Sequence, residues 1–251
     1  MIRAGLALLL GLAAVAVAPR VEAMRVAHRS PDVDGLLRAA ELDARNAKVQ
    51  ARLARLYRDG PGGRDADAAL RRFERAVELN PHAWNFRVEL AELYERAGRR
   101  EAAAEQLREA RRRDPIGPRT AYALGAFHLR AGEIELAMPL LLESMWTRPR
   151  FLRAGVPLLL EAGVPADTLV DTAPADRRSR LRLLRQLVRS ADAGDDAGLS
   201  AMARIWRELR GAAEPPTAAE AAFFLEHLAA TGATELAAEV RRDLARAVAP
   251  R

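Results

Sequence analysis

The chain of 251 residues contains no cysteine. That excludes disulfides, thiolate metal sites and lipid attachment through an amino-terminal cysteine. Aromatic residues make up only 5%, and Lys48 is the sole lysine, so arginine carries nearly all the positive charge. The histidines His28, His82, His128 and His227 include no pair at metal-ligand spacing, and no His-Glu-x-x-His run exists. A serine nucleophile elbow is missing too. The loop Gly60-Pro61-Gly62-Gly63-Arg64 lacks both the Gly-Lys-Ser/Thr ending and the preceding strand that aim backbone amides at a phosphate. It reads as a flexible turn. No catalytic residue, cofactor or metal site is therefore expected.

What the chain has is apolar residues, half of the total and largely alanine and leucine. Such a composition suits close-packed helices and leaves little material for strands. It also has a period. Pro81, Pro115 and Pro149 stand 34 residues apart. Counting each unit from the third residue after a proline, position eleven is Tyr94 and then His128, position fifteen Gly98 and then Gly132, position twenty Ala103 and then Ala137. A fixed period of this length marks stacked helical hairpins, each burying its apolar face on the next.

These units resemble the tetratricopeptide repeat family, whose unit has the same length and two antiparallel helices. Unit two offers Leu90, Ala91, Tyr94, Ala103, Leu107, Ala110 and Pro115 at the family's characteristic positions, departing at Arg87. Unit three offers Ala121, Leu124, Gly125, His128, Ala137, Leu141, Ser144 and Pro149. Small residues let helix backbones approach while large neighbours fill the space. Glycine at position fifteen supplies a left-handed helix stop, and proline ends the second helix. Unit one fits through Leu53, Ala54, Tyr57, Ala69, Phe73, Ala76 and Pro81, with about three extra residues between its helices, a turn insertion that leaves both packed faces intact. The expected fold is all-α, a right-handed superhelical α-solenoid of such hairpins over residues 34–150. Residues 151–251 are expected as degenerate helical repeats and a cap. There, 218–250 aligns as one more hairpin, 179–210 holds two amphipathic runs, and Gly155, Pro157 and Pro165 disturb a first helix over 152–162.

Arg3 and the uncharged run from Ala4 to Ala18 have the layout of a secretory signal. Residues 1–23 are expected as a signal peptide cut after Ala23 or as an uncleaved anchor, followed by a linker over 24–33. A periplasmic or inner-membrane location follows. The net charge of +6 favours acidic partners or anionic surfaces, and the export signal opposes nucleic acid.

The resemblance implies a concave groove lined by each first helix: Lys48, Arg52 and Arg55 in unit one, Asn85, Glu89 and Glu92 in unit two, and Arg119, Tyr122 and Arg130 in unit three. An extended peptide with charges of both signs is expected there, and an ordinary solvated face is the alternative. The arginines, Asn85 and Tyr122 are expected to be exposed, so that reversing Arg52 and Arg55 to glutamate leaves melting unchanged. The family's clamp for a terminal carboxylate needs lysine and asparagine, and Ala51 and Arg55 stand at those places in unit one. The functional expectation is a non-enzymatic envelope scaffold for other proteins. The signal-plus-repeat layout extends it to surface-polysaccharide assembly. The rivals are a helical accessory of a glycan-processing enzyme complex and a basic nucleic-acid-binding repeat protein.

Overall fold

The computed structural model describes residues 18–28, 32–60, 65–191 and 196–248. The glycine loop at 61–64 and the body of the export segment, 1–17, lie outside them. All regular structure among the described residues is helical. The chain divides into two compact units, Met1–Ile116 and Gly117–Arg251.

The first unit contains α1 (18–28), α2 (Val33–Leu42), α3 (Ala47–Asp59), α4 (Ala66–Leu79), α5 (Trp84–Arg96) and α6 (Arg100–Arg113). Helix starts are fixed locally. The Asn46 and Asp65 side chains accept hydrogen bonds from the Val49 and Ala68 amides, satisfying donors that the first helical turn leaves open. The stop after α5 is Gly98, at φ 71°, and the Arg99 amide reaches back to the Tyr94 carbonyl at 2.8 Å. Glycine adopts that left-handed turn without the strain of a Cβ. The small residues of the period sit at helix crossings as expected: Ala54, Ala69, Ala76, Ala103 and Ala110 are fully buried. Arg87, the departure from the pattern, turns its guanidinium to the Pro81 carbonyl, 3.1 Å, and to Gln106 Oε1, 2.7 Å. It thus ties the turn before α5 to α6, where an apolar side chain would otherwise pack.

Residues 24–28, expected in a linker, belong to α1. Ala27 joins Leu36, Ala39, Val49 and Leu53 in one buried cluster, and Ala23 is fully buried. Burial of two alanines four residues apart lays this helix close against its neighbours.

The second unit contains α7 (Pro118–Arg130), α8 (Ile134–Thr147), α9 (Pro149–Glu161), α10 (Ala166–Thr172), α11 (Arg177–Ser190), α12 (Asp196–Arg210), α13 (Ala218–Ala230) and α14 (Thr234–Val248). Gly132 repeats the left-handed stop at φ 77°, and Gly163 and Gly232 repeat it again after α9 and α13. The hairpin expected over 218–250 appears as α13 and α14, with 249–250 outside the described residues, and both amphipathic runs are helical as α11 and α12. Contrary to expectation, α9 runs unbroken through Pro157. Proline removes one backbone donor, but Leu152, Val156 and Leu159 are buried on the opposite side and hold the helix down. Gly155 is required by close packing, since a Cβ there would lie 2.4 Å from Met145 Sδ. The core of this unit is continuous from Leu141 and Leu159 to Leu184, Trp206, Phe224 and Val240.

Candidate functional site

Six of the residues expected to line a groove, Lys48, Arg52, Arg55, Asn85, Glu89 and Glu92, lie in the first unit. Arg52, Arg55 and Arg58 follow one another at three-residue steps along α3, so they share a face. Arg55 donates from Nε and Nη2 to the two carboxylate oxygens of Glu89 on α5, at 2.8 and 2.6 Å. Arg58 Nη1 lies 3.5 Å from the same carboxylate and 3.7 Å from Glu92. Both guanidiniums stand about 6 Å over the ring of buried Phe73. Glu89 is only 4% exposed. Its hydrogen bonds hold the Arg55 guanidinium more firmly protonated than usual, and those to Asp59 do the same for Arg58.

These charges are thus spent largely on each other across adjacent hairpins. Arg52 donates to the Ala27 carbonyl at the end of α1, and Asn85 is half-buried. The expected exposure is therefore corrected for Arg52, Arg55 and Asn85, which are half-buried, and Glu89 lies buried beside them. The sequence held Arg58 and Phe73 as well, but no spacing rule says which carboxylate an arginine meets on the next hairpin.

Three expected residues lie in the second unit. The Tyr122 ring stacks on Phe151 of α9, with centroids 4.9 Å apart and planes at 25°. Arg150 stands 4.8 Å over the same Phe151 ring. Burial raises the Tyr122 phenol above its ordinary pKa, while Arg130 opposes the rise. Arg119 is half-buried and Arg130 exposed. Phe151 went unnoticed in the sequence because α9 opens at Pro149 itself, three residues before the period places it.

Elsewhere in this unit, arginines join helices. Arg177 meets Glu220 at 2.6 Å, Arg180 meets Glu208 at 3.1 Å, Arg204 meets Asp167 at 3.0 Å, and Arg210 meets Asp243 at 3.0 Å. Asp243 also accepts from the buried Trp206 indole at 3.1 Å. His128 pairs with Glu133 across the turn after α7, at 2.6 Å, which fits the structural role expected of it. Among the described residues, no group of three side chains is placed to hold a metal ion.

One helix surface was not singled out from the sequence. On α11, Arg178, Arg182, Arg185 and Arg189 recur at four-, three- and four-residue steps, opposite the buried Leu184 and Leu187. Arg185 stands 5.3 Å over the Phe223 ring of α13. That periodicity was available in the sequence.

Two family models, each described as tetratricopeptide repeat, match residues 63–115 and 90–145. Among solved structures, the crystal structure of MamA protein is 17% identical, covering 67% of this chain and 91% of its own, with a TM-score of 0.52. The crystal structure of PilW, described as a widely conserved type IV pilus biogenesis factor, is 15% identical and covers 94% of this chain and 99% of its own, at 0.46. PilF of Pseudomonas aeruginosa is 16% identical, covering 95% and 89%, at 0.43. No curated protein matches. The likeness to MamA is one of fold.

Proposed function

We propose that this chain, whose residues 63–145 match models of the tetratricopeptide repeat, is a non-catalytic scaffold of the bacterial cell envelope that holds segments of partner proteins. The observation that carries this reading is the helical register itself. Within each unit, buried small residues at fixed places, Ala54 to Ala110 in the first and Ala121 to Ser144 in the second, let helix pack on helix and leave helix faces of arginine and aromatic residues outward. A surface on rigid helices holds a partner at little cost in ordering.

The envelope half of the proposal rests on Arg3 and the apolar run to Ala18. No helix among the described residues is long and apolar enough to cross a membrane. Surface-polysaccharide assembly is the process to which the layout of export segment and repeats points. The location is tested with a reporter active only in the periplasm, fused at the carboxyl end of the chain. Activity with the full leader and silence after deletion of residues 1–18 support export. Activity of a cytoplasm-only reporter with the leader in place overturns it.

A further inference from the structure

We propose that the arginine row of α11, Arg178, Arg182, Arg185 and Arg189, is the docking surface for an extended acidic segment of a partner protein. The inference rests on the scaffold reading and names the chemistry of what is held. At 3.6 residues per turn the four side chains fall within about 60° of one another and run about 16 Å along the helix. Arg178, Arg185 and Arg189 are exposed, and Arg182 is half-exposed.

Arginines on the neighbouring face of the same helix behave differently. Arg177 and Arg180 are both paired with carboxylates of other helices. Among the described residues, none of the four in the row has a carboxylate within ion-pair distance. Asp176, the acid that feels Arg182, already accepts the Ser179 amide as the cap of α11. Glu226, nearly one turn along α13 from Phe223, forms no ion pair with the row. The row is thus a line of positive charge without internal neutralisation.

Its spacing suits one occupant. Steps of four, three and four helical residues rise about 6, 4.5 and 6 Å, and alternate side chains of an extended peptide lie about 6.6–6.8 Å apart on one side. The row thus spans about 16 Å against about 20 Å for four alternate carboxylates, and the long arginine side chains take up the difference of about 2 Å at each end. Arg185 is packed on Phe223 and still exposed, so its guanidinium is steadied yet open to bidentate capture of a carboxylate. The same packing argues against single-stranded nucleic acid, because Phe223, the ring that Arg185 stands over, is partly buried and already has a guanidinium where a base would stack. It also argues against a membrane surface. The exposed large apolar residues, Val21, Met24, Leu42, Ile116 and Leu136, are all on other elements, so nothing beside the row would insert into lipid.

The test is fluorescence anisotropy with the full chain and a labelled peptide of ten residues carrying glutamate at alternate positions between serines. A peptide with glutamine in place of glutamate is the control. Binding of the acidic peptide, at least tenfold weaker in 0.3 M than in 0.05 M salt, is expected. The triple reversal Arg178→Glu, Arg182→Glu, Arg185→Glu should weaken binding at least tenfold. The charge-matched reversal Arg71→Glu, Arg75→Glu, Arg108→Glu in the other unit should change it less than threefold. Should the row reversal fail to fold, the corresponding triple glutamine variant gives the same loss.

Equal binding by the row variant, or no binding of the acidic peptide, overturns the proposal. Tighter binding of a single-stranded oligonucleotide or of phosphatidylserine vesicles through the same residues also overturns it. Loss of peptide binding with intact partner recovery from membranes would remove this surface and leave the scaffold reading standing. Recovery of no protein partner would instead remove the scaffold reading.

Discussion

Arg55 of α3 grips Glu89 of α5 with two hydrogen bonds, at 2.6 and 2.8 Å, tying one hairpin to the next. Both residues stand where a partner-facing groove was expected, yet Glu89 is 4% exposed and Arg58 approaches it as well. The pair belongs to the joint between repeats before it belongs to any partner.

Reversal of Arg55 should consequently destabilise the protein, against the expectation of unchanged melting drawn from the sequence. Breaking a fully buried pair costs about 3–5 kcal/mol. The Arg55 side chain is 37% exposed, so Arg55→Ala should cost about 1–2 kcal/mol after allowance for solvent. Arg55→Glu should cost more, because it sets two carboxylates side by side. Urea unfolding measures both. A change under about 0.5 kcal/mol for either variant would show that the pair contributes nothing.

Ala103 is fully buried at the crossing of α5 and α6. Ala103→Leu should overpack that crossing and cost about 1–3 kcal/mol. An unchanged thermal midpoint would mean that the crossing is looser than its burial indicates.

Gly125 makes a sharper test of packing. A Cβ there would stand 2.9 Å from Leu141 Cγ and 3.1 Å from the Ala137 carbonyl oxygen. Alanine is favoured over glycine inside a helix by about 1 kcal/mol. Gly125→Ala should nevertheless be destabilising, because the fully buried Leu141 has little room to yield. A stabilised variant would place the helices of this hairpin further apart.

The fold was legible where turn chemistry is local. Gly98 and Gly132 stop helices wherever they stand, and the prolines mark the same phase, so the hairpins up to Thr147 follow from spacing. Beyond that, Pro149 opens α9 only one residue after α8 ends, and α10 is a shortened second helix. The count therefore slips, although Gly163 and Gly232 still make the same stop. The site was less legible. The groove positions implied by the family resemblance located Arg52, Arg55 and Tyr122. Whether such a position is free depends on what the next element brings: Glu89 to Arg55, Ala27 to Arg52, Phe151 to Tyr122. On α11 the apolar row was read and the arginine row behind it was not.

Glu220 offers a test by pH. Arg177 Nη2 and the Thr217 amide donate to its carboxylate and hold its pKa at about 2, against an ordinary 4.5. A depressed folded pKa stabilises the folded state above the unfolded value. That contribution is lost as pH falls from about 4.5 through about 2. NMR titration of Glu220 should show the low value, and Arg177→Ala should move it upward. An unperturbed Glu220 would mean that the contact joining α11 and α13 is not formed in solution.

The central claim, that the chain holds other proteins, is tested most directly by the mass of the assembly it forms in its native cells. The full chain, tagged at its carboxyl end, is crosslinked in intact cells, solubilised, treated with nuclease and weighed by light scattering after size exclusion. The account predicts a complex well above the 27.5 kDa of the chain, with the same one or few proteins present at fixed ratio. Elution at its own mass, or association lost with nuclease, would contradict it.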